Sequence, residues 1–194
     1  MSDTTAAVIQ QTKNWVEEIV IGLNLCPFAS QPFNNNTIEY TVNTGDSLEQ
    51  HLHQLADSFT KLEQSTEIET SLLIYPDAYQ EFENYLDMLD LANQLLDDLK
   101  YSGSYQIASF HPDYRFDGST EDDASNFSNR SPYPMLHLIR EADLEKAIAS
   151  YPDIEQVPIN NIKKLQEIGY LEMLDKLKKI ADTNISIGCK QKKL

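Results

Sequence analysis

Strand-like and helix-like patterns alternate along the first half of the chain, and this alternation constrains the fold more than any other feature. Three runs favour strands: Thr37–Val42, Thr70–Tyr75, which is compact and apolar and ends at Pro76, and Tyr105–Phe110. Between them, apolar residues recur at the spacing of a buried helix face. This order favours parallel pairing with right-handed crossovers, and therefore an α/β or α+β sheet with helices packed on it.

The remaining patterns complete a single domain with a mixed four-stranded sheet. An amphipathic helix is predicted from about Thr5 to Leu23, Asp46 and Glu49 suit a capping box before the second helix, and Gly103 is placed to end the third. Met135–Ile139 is the fourth strand, which we expect to be antiparallel, and short helices follow it. The 194 residues suffice for one well-packed core and are few for two domains.

The charge and the apolar runs exclude several classes of partner. Carboxylates outnumber basic residues 31 to 15, which gives a formal charge of -16 and argues against nucleic-acid binding. No apolar run is long enough to span a bilayer, and the first residues lack the blocks of a signal peptide. We therefore expect a cytoplasmic protein without membrane or nucleic-acid partners, and the sequence does not fix its oligomeric state.

Two further features concern the cysteines and the C-terminus. Cys26 and Cys189 lie far apart in sequence and do not resemble a disulfide framework, so both are expected to be thiols. The end of the chain, from about residue 183 to 194, is rich in lysine and is expected to be a flexible basic tail.

The segment between the third and fourth strands is predicted to be a long functional loop. His111–Pro134 shows neither a two-residue nor a 3.6-residue apolar period, and glycine and prolines interrupt it. Loops of this length in compact domains are mostly lids, binding loops or disordered linkers, and the aromatic residues here argue against disorder. Since His111 and Asp77 each follow the end of a strand, both are expected at the carboxyl edge of the sheet, where ligands bind in α/β proteins.

All three arginines of the chain fall in or next to this loop. Arg130 and Arg140 are candidates for an anion clamp and Arg115 for a third contributor, because a guanidinium group grips carboxylate or phosphate bidentately. Glu141, beside Arg140, joins the candidate ligand-binding set. The alternative is that the arginines form ion pairs inside the protein with neighbouring carboxylates.

The histidines, acids and amides of the segment suggest further roles. His111 is the candidate acid or base, since histidine titrates near neutrality, with bonding of a loop carbonyl as the alternative. His137 either reaches the ligand or faces a covering helix. Asp122 and Asp123 are candidates for assisting the proton transfer. Asn126 and Asn129 are candidates for orienting a ligand, and the alternative is that they stabilise turns.

Cofactor and thiol chemistry are weaker expectations. No phosphate-loop or dinucleotide fingerprint is present, so no cofactor is predicted. A divalent metal held by His111, His137, Asp122 and Asp123 is an alternative, although their spacing matches no established metal-binding template. Cys26 is expected to be a structural thiol, with a nucleophilic role that uses His111 as its base as the alternative.

Three segments also resemble a bacterial family catalogued as domain of unknown function 1415. They are N-L-C-P-F-A at Asn24–Ala29, A-S-F-H-P at Ala108–Pro112, and D-D-A-S-N-F-S-N-R-S-P-Y-P-M-L-H-L-I-R-E at Asp122–Glu141. The similarity covers nearly the whole chain, and it implies no reaction, substrate or cofactor. The residues themselves lead to two hypotheses: an enzyme acting on a small anionic metabolite by arginine clamping and histidine acid/base chemistry, or a noncatalytic module that binds a metabolite or protein through the same loop.

Overall fold

The computed structural model describes residues 3–183 and builds them around one mixed sheet. The strands are β1 (Ile38–Val42), β2 (Thr70–Ile74), β3 (Tyr105–Phe110) and β4 (Met135–Arg140), in the spatial order β1-β2-β4-β3. β1 pairs with β2 in parallel, and β4 pairs antiparallel with both β2 and β3. The predicted fold class and the antiparallel fourth strand are confirmed, while β4 separates the two strands β2 and β3.

The position of each strand follows from its side chains. β2 and β4 occupy the middle of the sheet, where both faces are covered, and they are the strands with the most buried apolar residues. β3 carries the exposed Gln106 and lies at an edge. Insertion of β4 leaves β1, β2 and β3 pointing in the same direction, so their carboxyl ends share one edge of the sheet. The long loop begins and ends at that edge.

Helices account for most of the remaining described residues. They are α1 (Asp3–Trp15), which continues as a π-helix (Val16–Ile21), α2 (Ser30–Asn35), α3 (Leu48–Gln64), α4 (Phe82–Asp98), a 3-10 helix in the long loop (Ala124–Ser128), α5 (Glu141–Ser150), α6 (Gln156–Ile168) and α7 (Tyr170–Ala181). Among residues 3–183, no helix combines the length and apolar character needed to cross a membrane. The basic tail beyond Thr183, including Cys189, lies outside the described residues.

Two predicted helix ends differ in detail from the structure. At the start of α3 the capping pair is Ser47 and Gln50, one residue later than predicted: Ser47 Oγ accepts from the Gln50 amide at 3.3 Å, and Gln50 Oε1 accepts from the Asp46 amide at 2.8 Å. Ser47 takes this role because its backbone is extended immediately before the helix. After α4, Lys100 adopts a left-handed conformation with φ of 63°, and Gly103 lies in the turn that precedes β3.

The sheet separates two apolar cores. The first core contains Leu72, Ile74 and Met135 packed against Trp15 of α1 and against α6, α7 and the 3-10 helix. The second core contains Leu73 and Leu136 packed against α3 and α4. Both crossover helices lie on the same face because two right-handed crossovers proceed in the same direction along the sheet.

Leu73→Ala should lower the free energy of unfolding by about 2–5 kcal/mol, because it leaves a cavity in the second core. Leu171→Ala is the matched control: Leu171 is 77% exposed, and its truncation should change stability by no more than about 0.5 kcal/mol. Urea unfolding monitored by circular dichroism measures both values. Equal losses in the two variants would contradict the central position of β2.

Candidate functional site

A hydrogen-bonded pair of side chains, His51 and Tyr79, lies at the carboxyl edge of the parallel strands β1 and β2. His51 comes from the first turns of α3 and is 4% exposed. Its Nε2 lies 2.9 Å from the Gly45 carbonyl oxygen, and its Nδ1 lies 2.5 Å from the Tyr79 hydroxyl. Because a carbonyl only accepts, the neutral ring carries its hydrogen on Nε2, and Nδ1 accepts the proton of the Tyr79 hydroxyl.

Tyr79 is held in an unfavourable backbone conformation. Its φ is 58°, in the left-handed region that costs a bulky residue on the order of 1–3 kcal/mol. The surrounding contacts offset this cost: the Tyr79 ring packs against His51 and Tyr75, with ring centroids 5.1 and 5.3 Å apart. Partial burial raises the pKa of Tyr79, so its phenol stays protonated near neutral pH.

The His111 side chain forms a hydrogen bond with the backbone of Tyr79. Its ring is fully buried, and its Nε2 donates to the Tyr79 carbonyl oxygen at 2.9 Å. The amide of Asp113 donates to its Nδ1 at 3.0 Å. Burial lowers the pKa of His111, which favours the neutral ring that this bonding requires. Since both ring nitrogens are engaged by the backbone, His111 as placed has no nitrogen left for a ligand.

A cleft opens over the His51–Tyr79 pair. Its volume is about 380 Å³, and its lining comprises Thr44–Leu48, His51 and Asp77–Tyr79. Two polar groups next to these residues, the Tyr75 hydroxyl and Asn43 Nδ2, are buried. Asn43 is near enough to lower the pKa of Tyr75, but burial outweighs this effect and raises it.

The long loop is an ordered structure built on polar side chains. Asn126 is fully buried at its centre: Oδ1 accepts from the Phe116 amide at 3.1 Å and from Ser119 Oγ at 2.8 Å, while Nδ2 donates to the Thr120 carbonyl at 2.8 Å. Asn129 Nδ2 donates to the Ser109 carbonyl at 3.1 Å. These amides therefore organise the loop and connect it to β3.

Arg130 also stabilises the long loop. Its side chain donates from Nε to the Tyr114 carbonyl at 3.0 Å and from a terminal nitrogen to the Glu121 carbonyl at 2.8 Å. The guanidinium group lies over the Phe127 ring, 5.0 Å from its centroid, and the residue is 5% exposed. The internal partners of Arg130 are thus backbone carbonyls and aromatic faces, where the sequence suggested carboxylates.

The structure places Arg140 and Glu141 at the opposite edge of the sheet. Arg140 donates to the Tyr105 hydroxyl at 2.8 Å and to the carbonyls of Ser65 and Ile68 at 3.0 and 3.2 Å, beyond the end of α3. A strand of six residues, roughly 17 Å long, separates it from the long loop. A joint clamp requires the guanidinium groups of Arg130 and Arg140 to converge, and they do not.

Arg115 and the two aspartates remain near the surface of the loop. The Arg115 side chain is 42% exposed and forms a weak ion pair with Glu121, with its guanidinium nitrogen 3.6 Å from the carboxylate oxygen. Asp122 Oδ1 accepts from Thr120 Oγ1 at 2.7 Å, and Asp123 Oδ1 accepts from the Ser125 amide at 2.9 Å. The Ser125 amide also holds the pKa of Asp123 below its usual value. Both aspartates therefore stabilise turns, and neither contacts His111 in the described part of the chain.

His137 and Cys26 lie away from the cleft. His137 Nε2 is 2.6 Å from Thr70 Oγ1, and its ring faces Phe110 in the first core; burial of the ring lowers its pKa, although the residue keeps some exposed surface. Burial likewise raises the pKa of the Cys26 thiol, which disfavours a reactive thiolate. Across residues 3–183, no three His, Cys, Asp or Glu side chains are grouped so as to hold a metal ion.

His51 and Tyr79 were not among the residues expected at the site from the sequence. The spacing of His51 provided a signal, because it falls on the buried face of α3 four residues before Leu55 and close to the carboxyl edge. Nothing in the sequence predicts the left-handed conformation of a tyrosine. Asp77, which was expected at this edge, does line the cleft.

Unfolding should become easier as the pH falls below about 6.5, the ordinary histidine pKa. The folded-state pKa values of His111 and His137 are lowered, to about 4 for His137, so between these values the unfolded chain binds protons that the folded chain does not. Urea unfolding at pH 7, 6 and 5 should show this loss, and His137→Gln should flatten it. A profile that His137→Gln leaves unchanged would contradict the neutral, buried ring.

Arg130→Ala should destabilise the protein by about 2 kcal/mol or more, because it leaves the carbonyls of Tyr114 and Glu121 without their donor. Arg115→Ala removes an exposed guanidinium from the same loop and should cost no more than about 0.5 kcal/mol. Thermal and urea unfolding compare the two. Similar losses would contradict the structural role of Arg130.

Comparison with known proteins identifies the family of the chain. The model of a protein family of unknown function, DUF1415, matches residues 7–175, which include both strands of the cleft, α3 and the whole long loop. Neither the curated proteins nor the solved structures gave a match. The family match covers most of the chain and agrees with the resemblance seen in its sequence motifs. The chain therefore belongs to the DUF1415 family of proteins of unknown function.

Proposed function

We propose that the protein is an enzyme that transfers a proton on a small polar metabolite bound in the cleft over His51 and Tyr79. The observation that supports this most is the bond between the Tyr79 hydroxyl and the buried His51 ring, 2.5 Å long and facing a cleft at the carboxyl edge of parallel strands. The strained backbone of Tyr79 supports the same proposal, because such strain is concentrated at functional sites.

The pair supplies a proton relay. A phenol alone is a poor base at neutral pH, and the raised pKa of Tyr79 keeps its proton in place. When the substrate gives a proton to the Tyr79 oxygen, the hydroxyl proton passes to Nδ1 of His51. The products are a deprotonated substrate, an unchanged phenol and an imidazolium whose two N–H groups face the Gly45 carbonyl and the Tyr79 oxygen. Return of the proton to the substrate regenerates the resting pair.

The cleft favours a neutral or weakly charged polar substrate. Its lining offers the hydroxyls of Thr44 and Ser47 and the carboxylates of Asp46 and Asp77, and among residues 3–183 neither an arginine nor a lysine contributes to it. The first turn of α3 borders the cleft, and its partial positive charge stabilises negative charge that develops on the substrate after proton loss. His51 thus takes the acid/base role first assigned to His111, which we now propose as a positioning residue for Tyr79.

A noncatalytic binding module is the second candidate. It is favoured by the engagement of His111 and Arg130 within the protein, because neither side chain is then available for acid/base chemistry in the long loop. The two candidates differ in the role of the Tyr79 hydroxyl: turnover requires it, whereas a binding site in the long loop does not.

Solvent exchange tests the proposal without knowledge of the full reaction. The wild type is incubated in D2O with a panel of small hydroxy, keto and amino compounds, and mass spectrometry reports deuterium uptake or conversion. At least one compound should exchange. Tyr79→Phe should reduce its rate by about 10²- to 10⁴-fold, since it removes the relay hydroxyl and preserves the ring. His51→Gln should reduce it comparably.

His53→Gln is the matched control, because His53 lies on the same helix and is exposed. Its rate should equal that of the wild type. Circular dichroism confirms that each variant is folded. Exchange that persists in Tyr79→Phe at the wild-type rate would refute the proposed relay, and so would the failure of the whole panel to exchange.

A further inference from the structure

A second groove lies between the start of α4 and the long loop, beyond Tyr79 along the carboxyl edge. It has a volume of about 360 Å³. Phe82, Glu83 and Leu86 of α4 form one side, and Arg115, Phe116 and Asp117 of the loop form the other. None of these residues belongs to the lining of the cleft over His51, so the groove is a separate site.

The groove carries charged side chains of both signs that are weakly paired with other charges of the protein. Arg115 is the arginine left available in the loop, because within the described residues its guanidinium group forms only the weak ion pair with Glu121, itself 87% exposed. Glu83 and Asp117 are exposed, and neither forms an ion pair within residues 3–183. A guanidinium group binds carboxylates bidentately, and carboxylates bind ammonium groups.

Apolar surface lies beside these charges. Phe116 is 39% exposed, and its ring contacts Tyr114 edge-on at 5.0 Å. Tyr114 in turn contacts Phe82 at 5.5 Å, so the rings support one another. An exposed aromatic residue next to the half-buried Leu86 forms a surface on which a large apolar side chain packs favourably.

The loop side of the groove is fixed before any ligand binds. Asn126 accepts from the amide of Phe116 and the hydroxyl of Ser119, Arg130 donates to the carbonyl of Tyr114, and Gly118 turns the chain with φ of 73°. A rigid site loses less conformational entropy on binding than a mobile loop would. The need for a rigid binding surface accounts for the many polar side chains in the loop.

We infer that this groove binds a free, zwitterionic α-amino acid with a large apolar side chain. The carboxylate pairs with Arg115, the ammonium group lies near Glu83 and Asp117, and the side chain packs on Phe116 and Leu86. The two carboxylates disfavour ligands with several negative charges, such as phosphate esters. The inference is independent of proton transfer at His51 and Tyr79.

Isothermal titration calorimetry with L-phenylalanine and two analogues tests the charge requirement. Phenylpropionate lacks the ammonium group, and phenethylamine lacks the carboxylate. Phenylalanine should bind, and each analogue should bind at least about tenfold more weakly, since each loses one charge-assisted contact. Phenylpropionate binding as tightly as phenylalanine, or no binding of phenylalanine at millimolar concentration, would overturn the inference.

Variants test whether phenylalanine binds in this groove. Arg115→Gln and Glu83→Gln should each weaken phenylalanine binding at least about tenfold. Lys163→Gln, which alters a side chain that is 76% exposed on α6, should not change it. Tyr79→Phe should also bind normally, which separates this site from the proposed acid/base cleft. Unchanged affinity in Arg115→Gln would place the ligand elsewhere and overturn the inference.

Discussion

The hydrogen bond from His111 to the carbonyl of Tyr79 is the interaction on which the carboxyl edge depends. It joins the first residue of the long loop to the segment that follows β2, and the amide of Asp113 completes the ring's bonding. Because Tyr79 is strained, it needs such external contacts to keep its left-handed conformation. Its hydroxyl then reaches His51 on α3. Loop, strand end and crossover helix are thereby fixed relative to one another.

The buried polar side chains of the loop act mainly on the backbone. Asn126 and Arg130 satisfy amides and carbonyls that a long irregular segment would otherwise leave unpaired. This arrangement explains how residues without strand or helix periodicity remain ordered over the first core. Surface groups such as Arg115 have little part in this support, since the loop keeps its shape without them.

The sheet could be predicted from the sequence, because its strands are short apolar runs bounded by turn residues, as at Pro76. The antiparallel direction of β4 was expected and is confirmed, and the return of the long loop to the carboxyl edge follows from it. The binding partners of each arginine could not be predicted, because a guanidinium group binds carbonyls, carboxylates and aromatic faces alike. The fold determines which of these groups lie near it. Arg140 lies at the opposite edge because β4 carries it there. His51 was not predicted to lie at the site, since spacing alone does not reveal a tyrosine partner distant in sequence.

The bond between Tyr79 and His51 is tested most directly by NMR of the histidine ring nitrogens. In the wild-type protein, the neutral ring of His51 should carry its hydrogen on Nε2, with Nδ1 acting as an acceptor. Tyr79→Phe should shift the Nδ1 resonance of His51 and leave that of exposed His53 unchanged. Hydrogen on Nδ1 in the neutral ring, or an Nδ1 resonance insensitive to Tyr79→Phe, would contradict the pair on which the proposed chemistry rests.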